Sequence, residues 1–160
     1  MEFFQFEADF VDSLRCIPMQ VRFKLDTCGI KLKLSDWNHF SSTERQALVE
    51  QPCTTATEIQ AYREFLQQLV QKYSGVAADE LSVESHPAWI DTTNIPPSIQ
   101  EKVAEIGSTI TLQQWITLNP LQRFALIKLS RSSHENKNFL PAMQEFNLIQ
   151  IRLNSLTPDP

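Results

Sequence analysis

The sequence predicts a mainly α protein: a single globular helical domain, residues 1–160, built from two pseudo-symmetric helical repeats, with short extended segments at 30–34, 108–112 and 149–153. Three observations lead there. Residues 17–48 recur at 95–126 without a gap, an offset of 78 positions. The pattern Ser/Thr/Asn-x-x-Glu/Gln, which satisfies orphan amides at a helix start, occurs at Ser41/Glu44, Thr55/Glu58, Thr111/Gln114 and Asn119/Gln122. Only 3 glycines are present, too few for the many tight turns of an all-β fold.

The repeat carries the most weight, since a long-period echo defines architecture before any local pattern does. Nine of its 32 aligned pairs are identical: Ile17/Ile95, Pro18/Pro96, Lys24/Lys102, Gly29/Gly107, Leu34/Leu112, Trp37/Trp115, Arg45/Arg123, Ala47/Ala125 and Leu48/Leu126. Unrelated segments would share roughly two at ordinary residue usage. Apolar character is kept at Val21/Ile99, Leu25/Val103, Cys28/Ile106, Leu32/Ile110 and Phe40/Leu118.

Taken in order, Phe6, Phe10 and Leu14 share one helical face, so a helix is expected from about Glu7 or Ala8 that ends before Pro18. Pro18 suits the first turn of the next helix, whose stripe is Val21, Leu25 and Cys28 and whose stop is Gly29. Pro96, Ile99, Val103, Ile106 and Gly107 repeat those signals. Ile30–Leu34 and Ser108–Leu112 alternate and read as short extended pieces. Leu34, Trp37 and Phe40, like Leu112, Trp115 and Leu118, then have helical spacing.

Helices are expected next over Ser42–Glu50 and, in the second copy, Pro120–Leu129. Thr55/Glu58 opens the clearest helix, Ala56–Tyr73, closed by Gly75. Residues 76–94 read as a connector that packs through Trp89, and Ser130–Lys137 as a polar loop. Phe139–Leu148 reads as the last helix. Residues 149–153 alternate, and the tail 154–160 is expected to fray.

Composition narrows function by exclusion. Fourteen basic against 19 acidic residues give a net charge of −5, which disfavours a general nucleic-acid binder or an anionic-membrane binder. No apolar run is long enough for a transmembrane helix, and the acidic, aromatic start lacks the basic region of a signal peptide, so a cytoplasmic location is expected. Cys16, Cys28 and Cys53 form no CxxC pair, and His39, His86 and His134 form no HExxH. No phosphate-cradling glycine loop or nucleophile elbow occurs. No catalytic group, metal or cofactor is therefore assigned.

The repeat also serves as an internal control. Positions that agree, such as Trp37/Trp115 and Arg45/Arg123, read as core or structural bridges to caps or carboxylates. Cys28, opposite Ile106, reads as core. Positions that break the pattern are the candidates for partner recognition: Arg15, Cys16, Met19, Arg22 and Phe23 at the first copy, and Phe124, Lys128, Arg131 and His134 at the second. Basic groups on an acidic protein can form a local patch for an acidic partner, although a solvated helix face gives the same pattern. Beside Arg15, the Cys16 thiol could also be activated by a nearby cation. That motivates an alternative: a metal or cofactor carrier that uses Cys16 and a histidine.

Several longer blocks carry a resemblance. They are Phe6-Glu7-x-Asp9-Phe10, Ser13-Leu14-Arg15-Cys16-Ile17-Pro18-Met19-x-Val21-Arg22-x-Lys24-Leu25-Asp26, Trp37, Leu121-Gln122-Arg123-Phe124-Ala125-Leu126-x-Lys128-Leu129-x-Arg131, His134-Glu135-Asn136 and Asn138-Phe139. From about Phe4 to Leu148 the chain resembles the small nitrate reductase-associated proteins of oxygenic photosynthetic bacteria. The resemblance implies nitrate reductase as partner and a role in obtaining that enzyme in active form, the assimilatory enzyme being a cytoplasmic molybdenum and iron–sulfur protein. It implies no catalytic or ligand residues for this chain.

Overall fold

The computed structural model describes residues 3–8, 14–131 and 136–149. It divides into two compact units, Met1–Ser85 and His86–Pro160.

In the first unit a 3₁₀ turn, Gln5–Glu7, precedes α1 (Met19–Cys28), β1 (Ile30–Lys31), α2 (Leu34–His39), α3 (Ser42–Glu50), α4 (Ala56–Ser74) and β2 (Asp79–Glu80). Pro18 stands one residue outside α1, as its N-cap, and offers no side-chain cap. Glu7 does that work from a distance: its Oε1 accepts the Met19 amide at 2.6 Å, and its Oε2 accepts the Phe4 amide at 3.2 Å. A carboxylate at a helix start satisfies an orphan N–H and the helix dipole together. The capping boxes at Ser41 and Thr55 are both formed.

Helix α4 owes its length to a clear apolar face, with Tyr62, Leu66, Leu69 and Val70 buried. They join Val21, Leu25, Cys28, Trp37, Leu48 and Val49 in one core. From α4, the Gln67 amide both donates to the Ala78 carbonyl and accepts its N–H, and Arg63 pairs with Glu80. These contacts hold β2 in place, and β2 pairs antiparallel with β1, Ile30 opposite Glu80.

The second unit contains α5 (Pro97–Glu105), α6 (Leu112–Thr117), α7 (Pro120–Arg131), a 3₁₀ turn Asn136–Asn138, and α8 (Phe139–Glu145). Helix α7 is its centre, with Arg123, Phe124, Ala125, Leu126, Ile127 and Leu129 all buried. Helices α5 and α8 each pack against it. The connector's Trp89 meets Phe124 edge-on, ring centroids 5.1 Å apart. Helices α5, α6 and α7 start 78 positions after α1, α2 and α3.

Several sequence expectations change. The extended segment 30–34 shortens to Ile30–Lys31, because Leu34 already begins α2. At 108–112 there is no strand: Thr111 caps α6 and Leu112 is its first residue. In the first unit the pairing needs β2 alongside, and none of the described residues of the second unit forms a strand. At 149–153, Ile149 lies in a bend and the rest falls outside the described residues, as does the tail 154–160.

The expected N-terminal helix is described only as the 3₁₀ turn and Ala8; residues 9–13 lie outside, and Leu14 has φ 51°. Ser130 and Arg131 continue α7 rather than joining a loop. The last helix ends at Glu145, not Leu148. There Asn147 takes φ 60°, and the Leu148 amide bonds back to the Met143 carbonyl at 2.9 Å, a left-handed stop made by Asn in place of Gly.

Candidate partner-binding surface

The first-unit candidates flank the start of α1. Arg15 is exposed, while Cys16, a free thiol, and Phe23 are half-buried. Arg22 is half-buried and donates through Nε to the Ile17 carbonyl at 3.1 Å. Met19 is only 3% exposed, beneath the Glu7 contact. The second-unit candidates follow α7. Phe124 is fully buried, and the Lys128 ammonium lies 5.3 Å from its ring centroid. Arg131 is exposed at the helix end. His134 lies outside the described residues.

The candidate set thus holds two kinds of residue. Met19 and Phe124 belong to the core, where a partner cannot touch them without local opening. Arg15, Cys16, Arg22, Phe23, Lys128 and Arg131 retain exposed or half-exposed side chains.

The repeat-conserved arginines bridge backbone carbonyls rather than carboxylates. Arg45 donates to the carbonyls of Trp37, Leu14 and Asn38 at 3.1, 3.3 and 3.0 Å. Arg123 donates to those of Trp89, Trp115 and Leu118 at 2.7, 3.3 and 2.8 Å. In each unit the neighbouring tryptophan donates its indole N–H to a carbonyl of the preceding segment, Trp37 to Leu14 at 2.8 Å and Trp115 to Asp91 at 2.9 Å. Arg123 is 5% exposed, and burial lowers its pKa.

Sequence reasoning missed a buried polar set in the first unit. The Lys24 ammonium donates to the Val49 and Gln51 carbonyls, both at 2.7 Å, and so caps the C-terminus of α3. Burial lowers its pKa, against the opposing pull of Cys53. Burial, aided by Cys28 and opposed by Lys24, pushes the Cys53 thiol up to about 12. Burial likewise takes Cys28 to about 11, with backbone hydrogen bonds and Arg63 opposing. The Tyr62 hydroxyl, well above its usual pKa through burial and then the two thiols, donates to the Leu48 carbonyl at 2.9 Å. This set holds neutral thiols and a capping cation, which is scaffold chemistry. No sequence signal marked Lys24 as different from Lys102, which instead pairs with Glu105 on its own helix.

His39 and His86 are exposed. Among the described residues, no three His, Cys, Asp or Glu side chains gather as a metal site, and no helix is long and apolar enough to cross a membrane.

The model of the conserved nitrate reductase-associated protein family matches residues 3–146. The chain belongs to that family. The match takes in both units and every candidate residue, and it stops at Phe146, the C-cap of α8. For this nitrate reductase-associated family member, Glu7, Lys24, Arg45 and Arg123 therefore all lie within the matched region. No curated protein and no solved structure matches the chain.

Proposed function

We propose that this protein is a non-catalytic accessory factor that binds nitrate reductase in the cytoplasm and assists its maturation, stability or cofactor loading. The observation that carries the reading is the family match over residues 3–146, 144 of 160 positions. The buried ionisable groups support it, since Lys24, Arg123 and Tyr62 are bound to backbone carbonyls and spent on capping. The exposed and half-exposed candidates, Arg15, Cys16, Arg22, Phe23, Lys128 and Arg131, are the partner-binding residues in this reading. The matching hydrogen bonds of Trp37 with Arg45 and of Trp115 with Arg123 favour reading the two units as copies of one helical plan.

The test is deletion of the gene, followed by separate measurement of reductase protein, reductase cofactor content and activity per loaded enzyme. Loss of protein assigns stabilisation, and loss of cofactor at constant protein assigns loading. Unchanged values for all three would refute the accessory role. Metal co-purifying with the untagged chain, and lost in Cys16→Ser, would favour the carrier alternative instead.

A further inference from the structure

We propose that the C-terminal end of α7, carrying Lys128 and Arg131 with Lys137 beside it, docks an acidic surface segment of nitrate reductase; this rests on the accessory reading above and names the chemistry of its contact. Lys128 and Arg131 stand three residues apart on one helix and so are neighbours on its surface. Arg131 is exposed and Lys128 half-buried. Lys137, also exposed, lies in the 3₁₀ turn that packs against α7.

The sequence gathers charge of one sign here. From Ile106 to His134, 29 residues, there is no Asp or Glu, while Arg123, Lys128, Arg131 and His134 all fall within the stretch. An even spread of the 19 acidic residues over 160 positions would place about three there. The stretch just before it is the reverse. Tyr73 to Glu101, also 29 residues, holds Asp79, Glu80, Glu84, Asp91 and Glu101 and no Lys or Arg. The net charge of −5 is therefore unevenly distributed, and a basic region on an acidic chain can steer an acidic partner to one place.

Local packing keeps the region one-signed. The Ser130 hydroxyl meets that of Ser98 at 3.2 Å, which sets the first turn of α5 beside the last turn of α7, and that first turn carries no acidic residue. Among the described residues, no carboxylate pairs with Arg131 or Lys137. The Lys128 ammonium lies 5.3 Å from the ring centroid of Phe124, which is fully buried, so that charge is positioned before any partner arrives. A helix dipole alone favours cations at a C-terminus, yet α3 ends with no basic residue in its last turn. Nor does a dipole clear carboxylates from 29 residues. An anionic membrane is the weaker match, since polybasic lipid-binding segments cluster about four to eight Lys and Arg.

The test measures binding of purified nitrate reductase, at about 50 mM and about 300 mM salt, to three proteins. They are the wild type, the double variant Arg131→Glu with Lys137→Glu, and a control, Lys31→Glu with Lys33→Glu, which makes the same charge change at exposed first-unit positions. Far-UV circular dichroism checks that each folds. Reversal at 131 and 137 is expected to weaken binding about ten-fold or more at low salt, and the control to lose much less. Wild-type binding is expected to weaken as salt rises, and its gap to the 131/137 variant to narrow, because screening removes what the reversal removes. Wild-type affinity in the 131/137 variant overturns the docking site and leaves the accessory reading standing. Equal losses in the two variants overturn a local contact in favour of net charge, and binding that ignores salt overturns an ionic one. No binding by the wild type overturns the accessory reading and this occupant with it. Self-association in place of reductase binding, seen by sedimentation at low salt and lost in the 131/137 variant, would overturn the reductase as occupant in favour of a second copy of this chain. Retention on phosphatidylserine vesicles in place of reductase binding would overturn it in favour of a membrane.

Discussion

Truncating Arg123 tests whether the repeat-conserved arginines hold the fold. Arg123 is 5% exposed, and its guanidinium serves three carbonyls, those of Trp89, Trp115 and Leu118. Arg123→Ala strips all three. An unmet buried acceptor costs about 1–3 kcal/mol, and the three losses share one donor and are not additive. With the lost packing, a total of about 3–5 kcal/mol follows.

Arg45 makes the same kind of contacts from a half-buried position, and its Asn38 bond is exposed, so water can replace part of it. Arg45→Ala should cost about 1–2 kcal/mol. At about 4–8 °C per kcal/mol for a unit of this size, Arg123→Ala should lower Tm by about 12–40 °C. Arg123→Lys should recover little, since one ammonium cannot reproduce a planar fork that reaches three carbonyls. Urea unfolding followed by circular dichroism and tryptophan fluorescence measures all three variants. A cost below about 1 kcal/mol for Arg123→Ala, or a larger cost for Arg45→Ala, would refute the reasoning.

Three further outcomes follow from local geometry. The Glu44 carboxyl sits at about 2 rather than 4.5: partial burial raises it, but hydrogen bonds from Tyr73, the Ser41 amide and Lys72 outweigh that. A lowered folded pKa gives stability that is complete above about 4.5 and lost as pH falls toward about 2. The Tm gap between wild type and Glu44→Gln should therefore close over that window, and a gap that is independent of pH would contradict it. Iodoacetamide at pH 8 should label native protein first at half-buried Cys16, because the Cys28 and Cys53 thiols are buried and protonated. Comparable labelling rates at Cys53, read by peptide mass spectrometry, would exclude this. Gly29 and Gly107 share a left-handed φ of 77° and 75°, but an added Cβ would meet Val83 at 2.8 Å only at Gly29. Gly29→Ala should thus cost more than Gly107→Ala, whose loss is the backbone term of about 1–2 kcal/mol; equal chemical-denaturation midpoints would contradict the close approach.

The helical plan was legible because its signals are local. Proline, a stripe at helical spacing, glycine and a capping box all act within a few residues, and each appears twice. Positions 108–112 misled because alternation describes a segment that could pair, while pairing depends on a partner strand. In the first unit that partner, Asp79–Glu80, is held by Arg63 and Gln67 on α4. Glu7 and Lys24 were illegible for a related reason: each caps a helix more than ten residues away in sequence.

Exposure at the candidate positions was not legible in the sequence. Comparing the aligned segments 17–48 and 95–126 finds where they differ, but a difference in the core and one on the surface look alike until burial is known. Met19 and Phe124 fell on the core side.

The most direct measurement of the central claim is sedimentation velocity of the purified full chain mixed with purified nitrate reductase. The account predicts a boundary heavier than the reductase alone that carries both proteins. Two independent boundaries at every mixing ratio, with reductase maturation unchanged in cells that lack the chain, would contradict it.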